Sequence, residues 1–207
     1  MTAKIKLKHS GGNSVIIAAP DSNPTSDRTL KLPSDGDGTI LTSNSSVGKI
    51  LKIETTIKTD AFSHNNNTPT DITGMAVSIQ PSASNSKIFI TTTLCCGGGD
   101  NLYAQFNLLR GSTHIGASTY ATGNQRNATF GYATPSLADG DYKIYSVAYQ
   151  ILDTPLYTLG DTITYKLQCA SNTLATTNLF INRPQRTNNG PYIIGGSSTI
   201  TAMEVAA

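Results

Sequence analysis

His9, His64 and His114 are the side chains of this 207-residue chain best suited to proton transfer or metal ligation, and their spacing serves neither. No two of them stand at the short separations that set paired imidazoles on one face of a strand or helix to hold zinc. Each reads as a surface or turn histidine. Serine and threonine abound, yet no Gly-x-Ser-x-Gly elbow sets up a hydrolase nucleophile. Asp35-Gly36-Asp37-Gly38 and Asp139-Gly140-Asp141 offer the hard oxygen ligands that calcium takes, but neither continues into an EF-hand loop, and turn chemistry accounts for both. Catalysis needs convergent groups of tuned acidity. The expectation is a protein that is not an enzyme and needs no cofactor or metal.

The three cysteines are odd in number and lack metal-ligand spacing. Residues 87–96 alternate Ile88, Ile90, Thr92, Leu94 and Cys96 on one side, and residues 161–169 alternate Ile163, Tyr165, Leu167 and Cys169. A two-residue period is that of a strand, so Cys96 and Cys169 are expected as buried small hydrophobes. Cys95 then points the other way, and a Cys95–Cys96 bridge would be strained. Reduced thiols and synthesis in a cytoplasm follow. The polar first residues and the short apolar run at 15–19 give no signal-peptide core or membrane span, so the mature chain is expected to begin at Met1.

Only 14% of residues are charged and the net charge is +2, so Ser, Thr, Asn, Gln and Gly must cover most of the surface. A nucleic-acid groove would need clustered basic residues. The one local cluster, Lys4, Lys6 and Lys8, alternates with Ile5 and Leu7 and reads as a solvated strand face rather than a phosphate-binding arm. What remains is binding by uncharged groups. Two polar loops, at 120–126 and 183–192, carry Tyr120, Asn124, Arg126, Arg183, Asn188 and Tyr192, side chains able to bond hydroxyls or stack on sugar rings. The plainer reading, that these loops only keep the protein soluble, is the favoured one, because no spacing singles out a sugar site.

Thr, Ile, Val and Tyr recur in short runs punctuated by Gly, Asn, Asp and Pro, which is an all-β texture. The first 48 residues hold strand candidates at 5–8, 15–19 and 29–32, with a weaker one at 39–41. So few large apolar side chains, without disulfide or metal, can hardly sustain an independent fold, so this segment should share a core with other copies or dock on a partner. From residue 49 the strands lengthen: 50–59, 71–79, 87–96, 103–110, 114–119, 127–133, 142–152, 161–170, 178–182 and 197–205. That spacing suits a sandwich or barrel. The 142–152 strand is apolar on both faces, and Tyr142, Ile144, Tyr145, Val147 and Tyr149 mark it either as covered by a loop of its own chain or as a meeting place with a neighbouring protomer.

Thr29-Leu30-Lys31-Leu32-Pro33-Ser34-Asp35-Gly36-Asp37-Gly38-Thr39-Ile40-Leu41-Thr42 resembles a short module found near the beginning of phage tail-fibre and virion-surface proteins, and Gly48-Lys49-Ile50-Leu51-Lys52-Ile53 looks like their lead-in to a head domain. The remainder is similar to phage fibre heads in four places: Asp71 to Pro81 with Ser86-Lys87-Ile88, Leu108 to Thr113, Tyr149 to Pro155 with Thr164 to Leu167, and Ser198 to Val205. The resemblance implies a trimeric jelly roll of the tumour-necrosis-factor and complement type, located in the virion. No long repetitive shaft separates leader from head, which implies a short fibre or a subunit seated directly on a capsid or tail. The expectation is therefore an antiparallel jelly-roll sandwich over 49–207, preceded by a small β-rich anchoring and oligomerisation segment, 1–48. Its partners would be two further copies of itself, other virion proteins bound through 1–48, and a host surface glycan, with neither nucleic acid nor membrane insertion. A short tail fibre assembled in the host cytoplasm is the first reading, capsid decoration the second, and a stand-alone carbohydrate-binding module the third.

Overall fold

The computed structural model describes residues 4–8, 10–12, 14–18, 49–134, 140–172 and 178–207. The chain divides into two compact units, Met1–Ser45 and Ser46–Ala207. In the first, β1 (Lys4–Lys8) and β2 (Ser14–Ala18) form an antiparallel hairpin whose register runs from Lys4 opposite Ala18 to Lys8 opposite Ser14. Gly12, at φ 98°, supplies a positive φ in the connection. The strand candidates at 29–32 and 39–41, the Asp35-to-Gly38 run, His9 and Asp139 lie outside the described residues.

The second unit is all β apart from a 3-10 turn, Gly140–Tyr142, among the described residues. Its strands are β3 (Ile50–Lys58), β4 (Phe62–His64), β5 (Thr70–Ile79), β6 (Lys87–Gly97), β7 (Tyr103–Arg110), β8 (Thr113–Ile115), β9 (Phe130–Ala133), β10 (Ile144–Asp153), β11 (Ile163–Asn172), β12 (Leu179–Ile181) and β13 (Ser198–Val205). One sheet of six holds β3, β13, β6, β12 and β4 with β10 on β6; the other holds β5, β11, β7 and β8 with β9 on β7.

Three pairs of short strands are interrupted single strands. Opposite β6, β12 covers Cys96 and Gly97 while β13 covers Lys87 to Thr93. Opposite β7, β8 covers Leu108 to Arg110 while β9 covers Tyr103 to Phe106. In the same way β4 continues β3 against β12 and β13. Merged, these strands alternate between the sheets in jelly-roll order, with first, last, third and sixth in one and the rest in the other.

The core lies between the sheets. Ile88, Ile90, Leu94 and Cys96 of β6, with Ile200 and Ala202 of β13, face Met75, Val77 and Ile79 of β5, Phe106 and Leu108 of β7, and Ile163, Tyr165, Leu167 and Cys169 of β11. Each fully buried aliphatic side chain contributes about 1.5–3 kcal/mol. Cys96 and Cys169 are 0% and 1% exposed, as their alternation requires, and burial pushes the Cys169 thiol up to about 12. The β5 alternation breaks at Thr73-Gly74, both exposed between buried Ile72 and Met75, where the β11 register also shifts. Gly74 takes φ 80° at this bulge, a conformation open to glycine.

Two segments leave the sandwich in mid-strand, and each has a polar neck. Residues 116–129 separate β8 from β9. There the Thr129 hydroxyl donates to Ile115 O at 3.0 Å, accepts from Leu108 N–H at 2.9 Å and lies 2.9 Å from His114 Nε2. Residues 182–197 separate β12 from β13. Asn182 (φ 67°) donates to Lys58 O and Asp60 O, and its Oδ1 accepts from the Ser198 hydroxyl at 2.6 Å. These bonds satisfy groups that burial at the necks would otherwise leave unpaired.

Candidate interaction surface

Strand register decides what the outside of the six-stranded sheet presents. Leu152, Phe89, Met203 and Ile53 pair across four strands into one row, and Ala148, Thr93, Thr199 and Ile57 form another. Between them runs Gln150, Thr91, Thr201 and Thr55, with the Thr55 and Thr201 hydroxyls 3.0 Å apart. None of these twelve positions carries a charge; Lys87 first introduces one in the next row, beside Val205 and Ile50. Ile57 is 62% exposed, Ile53 55% and Leu152 48%. Small side chains at Thr91, Thr93 and Ala148, with Gln150, leave a depression of about 430 Å³ in the middle of this face.

The outside of the other sheet is unlike it. Lys166 Nζ lies 2.7 Å from Asp71 Oδ2, Gln168 donates to Asp71 Oδ1 at 2.7 Å, and Ser78 and Thr164 share a hydrogen bond of 2.8 Å. The bonds from Lys166 and Gln168 hold the Asp71 carboxyl below its ordinary acidity range. That face is an ordinary solvated one; the first is not.

The five residues singled out on the 142–152 strand divide between two places. Val147 and Tyr149 point into the sandwich, being paired with the inward Leu94 and Thr92, while Tyr145, on the same side near the start of the strand, stays 41% exposed. There Tyr149 stacks on Phe130 (5.4 Å between centroids), Phe130 on Phe106 (5.0 Å), and Tyr145 tilts against Tyr132 (5.7 Å). These rings close the open side between the edge strands of the two sheets. Ile144 is half-buried beside Gly196, and Tyr142 meets Tyr192 edge-on at 5.3 Å with the Arg186 guanidinium 5.2 Å from its ring centre. The chain's own 182–197 excursion thus covers this end of β10, while Ala148 and Leu152 open onto the uncharged face.

The loop residues also separate. Asn124 and Arg126 line a groove of about 300 Å³ against Tyr103, Gln105 and Ala170, residues of β7 and β11 that loop reasoning does not single out. Arg126 Nη1 donates to Asn67 O at 2.8 Å and ties the excursion to the β4–β5 connection. Tyr120, 80% exposed, stands outside that groove. On the other excursion Asn188 donates to the Tyr192 hydroxyl at 2.9 Å. Arg183 lies 3.9 Å over the Phe180 ring and donates to the carbonyls of Pro184 and Gln185.

The histidines correct one expectation. His64 is 7% exposed on β4 and His114 half-buried on β8, because both belong to strands rather than turns. Among the described residues no three His, Cys, Asp or Glu side chains group as metal ligands. Glu204, 0% exposed, accepts from the Ser82 and Ala83 N–H groups and the Ser82 and Ser86 hydroxyls at 2.8–3.1 Å. It pins the β5–β6 connection to the last strand.

No protein-family model matches the chain, and no curated protein matches it. Among solved structures it is similar to that of infectious bursal disease virus, Gx strain, with 12% identity and a TM-score of 0.39 over 94% of this chain and 48% of that one. The Gt strain structure gives 13%, 0.37, 95% and 48%, and a mutant VP2 protein of the same virus in derived particles gives 13%, 0.37, 93% and 42%. The chain spans less than half the length of each. Likeness at this level assigns no family.

Proposed function

We propose that this protein is a non-catalytic structural subunit of a virion, which assembles as a trimer by laying the outer face of its six-stranded sheet against neighbouring copies. The observation that carries the reading is the uncharged row of Leu152, Phe89, Met203 and Ile53, with Ile57 alongside, set against the ion-paired outside of the other sheet. Covering Ile53, Ile57 and Leu152, each already about half buried, would contribute about 1 kcal/mol apiece, enough to offset part of the cost of association. A threefold ring closes when each copy uses the same two patches in the same way.

Within that role, residues 1–48 attach the subunit to other virion proteins, and the polar excursions face outward. A short tail fibre that contacts a host surface glycan is the first form of the proposal; its support is the resemblance of residues 29–42 and of the head segments to phage fibres. Capsid decoration is the second. Electron cryo-microscopy of particles carrying the chain tests both: density at a tail tip supports the fibre, density at threefold capsid positions supports decoration, and a chain recovered only free of particles contradicts the virion role.

A further inference from the structure

We propose that the groove between the 116–129 excursion and strands β7 and β11 is a saccharide-binding site. Its floor is shallow in side chains because Ala170 pairs with Gln105 across the β11–β7 register. Tyr103, 49% exposed at the start of β7, offers a ring face as a wall on which a pyranose can stack. Asn124, Gln125 and Arg126 form the lip.

The lip is held before any ligand arrives. Arg126 donates to Asn67 O at 2.8 Å, Gln125 Oε1 accepts from Thr122 N–H at 3.0 Å, and Ala121 N–H donates to Asn127 Oδ1 at 2.9 Å. A loop fixed in this way loses little entropy on binding. The side-chain amides of Gln105 and Asn124, by contrast, have no hydrogen-bond partner among the described residues. Each presents an acceptor and two donors, the pairing a sugar hydroxyl requires, since it both donates and accepts. The lining residues include no carboxylate, and the remaining guanidinium N–H groups of Arg126 extend the donor set toward hydroxyl or carboxylate oxygens.

This site deepens the glycan-contact part of the proposed function and rests on it, but it is tested separately from assembly. The full chain is titrated with galactose, N-acetylglucosamine and glucuronate, with saturation-transfer NMR as the readout. Saturable binding of at least one sugar is expected, at millimolar strength for so few contacts. Tyr103→Ala should weaken it about 3- to 10-fold through the lost stacking surface. Asn124→Ala, on the exposed loop where folding is not at stake, should weaken it about 5-fold. Leu156→Ala, at a position 99% exposed between β10 and β11 and outside the groove, should leave it unchanged. No saturable binding of any of the three sugars, or undiminished binding in both the Tyr103 and Asn124 variants, would overturn the assignment. A trimer that binds none of the sugars would sink this site and leave assembly standing.

Discussion

Arg110 and Asp153 join the two sheets: Arg110 Nη1, from β7, lies 2.8 and 2.7 Å from the two Asp153 carboxylate oxygens, from the end of β10. The Tyr165 hydroxyl, from β11, donates to the same carboxylate at 2.7 Å. The pair is largely sheltered, at 29% and 10% side-chain exposure, and burial together with the Asp153 bond pushes the Tyr165 phenol well above its ordinary value. Asp153→Asn should therefore cost about 3 kcal/mol, the lower end of the range for breaking a buried pair, because it strands the guanidinium. Replacing both partners, as Arg110→Met with Asp153→Leu, should recover most of that loss. Urea denaturation of the three chains measures it.

Glu204 should make the fold acid-sensitive. Burial disfavours the ionised carboxylate, but the Ser82 N–H, the Ser86 and Ser82 hydroxyls and the Ala83 N–H together outweigh that and hold its pKa below the ordinary value. A carboxyl depressed on folding contributes stability that is fully present above the unfolded value and is lost as pH falls through the folded one. Glu204→Gln should destabilise by about 1–3 kcal/mol at pH 7, since its amide nitrogen cannot accept these bonds. The gap between variant and parent should narrow as the pH drops below 4.5; denaturation midpoints at pH 7 and pH 3 measure this.

Thiol labelling should distinguish the cysteines. Cys95 is half-buried, whereas Cys96 and Cys169 are buried and their thiols are pushed upward by burial, Cys169 to about 12. At pH 8 the native chain should react with an aromatic disulfide reagent at Cys95 alone, and the other two should react only on unfolding. Fast labelling of all three in the native state would contradict the core described above.

Much of the fold was legible because β6 and β11 alternate cleanly: Ile88 to Cys96 and Ile163 to Cys169 point inward in the structure as the two-residue period dictates. The excursions were harder to read. Residues 114–119 and 127–133 carry strand-like composition, yet Gly116 at φ 63° starts the departure and only Thr113–Ile115 and Phe130–Ala133 stay paired. The bulge at Gly74 hides behind an apparent alternation in the same way. The uncharged face was the least legible feature. Ile53, Phe89, Leu152 and Met203 are scattered along the chain and become neighbours only through register, which alternation within one strand does not specify. Likewise the apolar side chains of β10 marked a surface, but Val147 and Tyr149 are spent on bridging the sheets, Tyr145 leans on Tyr132 while staying partly exposed, and the outward apolar positions are Ala148 and Leu152.

Ile57 tests whether that face is where copies meet. It is 62% exposed on an outer strand, so Ile57→Asp removes no core contact and should leave the denaturation midpoint of the isolated protomer nearly unchanged. A carboxylate buried in an apolar interface without a partner is, by contrast, strongly unfavourable. Sedimentation equilibrium of the full chain is the most direct measurement: the parent should run as a trimer across the micromolar range, and Ile57→Asp as a folded monomer. A parent chain that is monomeric at every concentration, with its circular dichroism that of an intact β protein, would contradict the assembly on which the account is built.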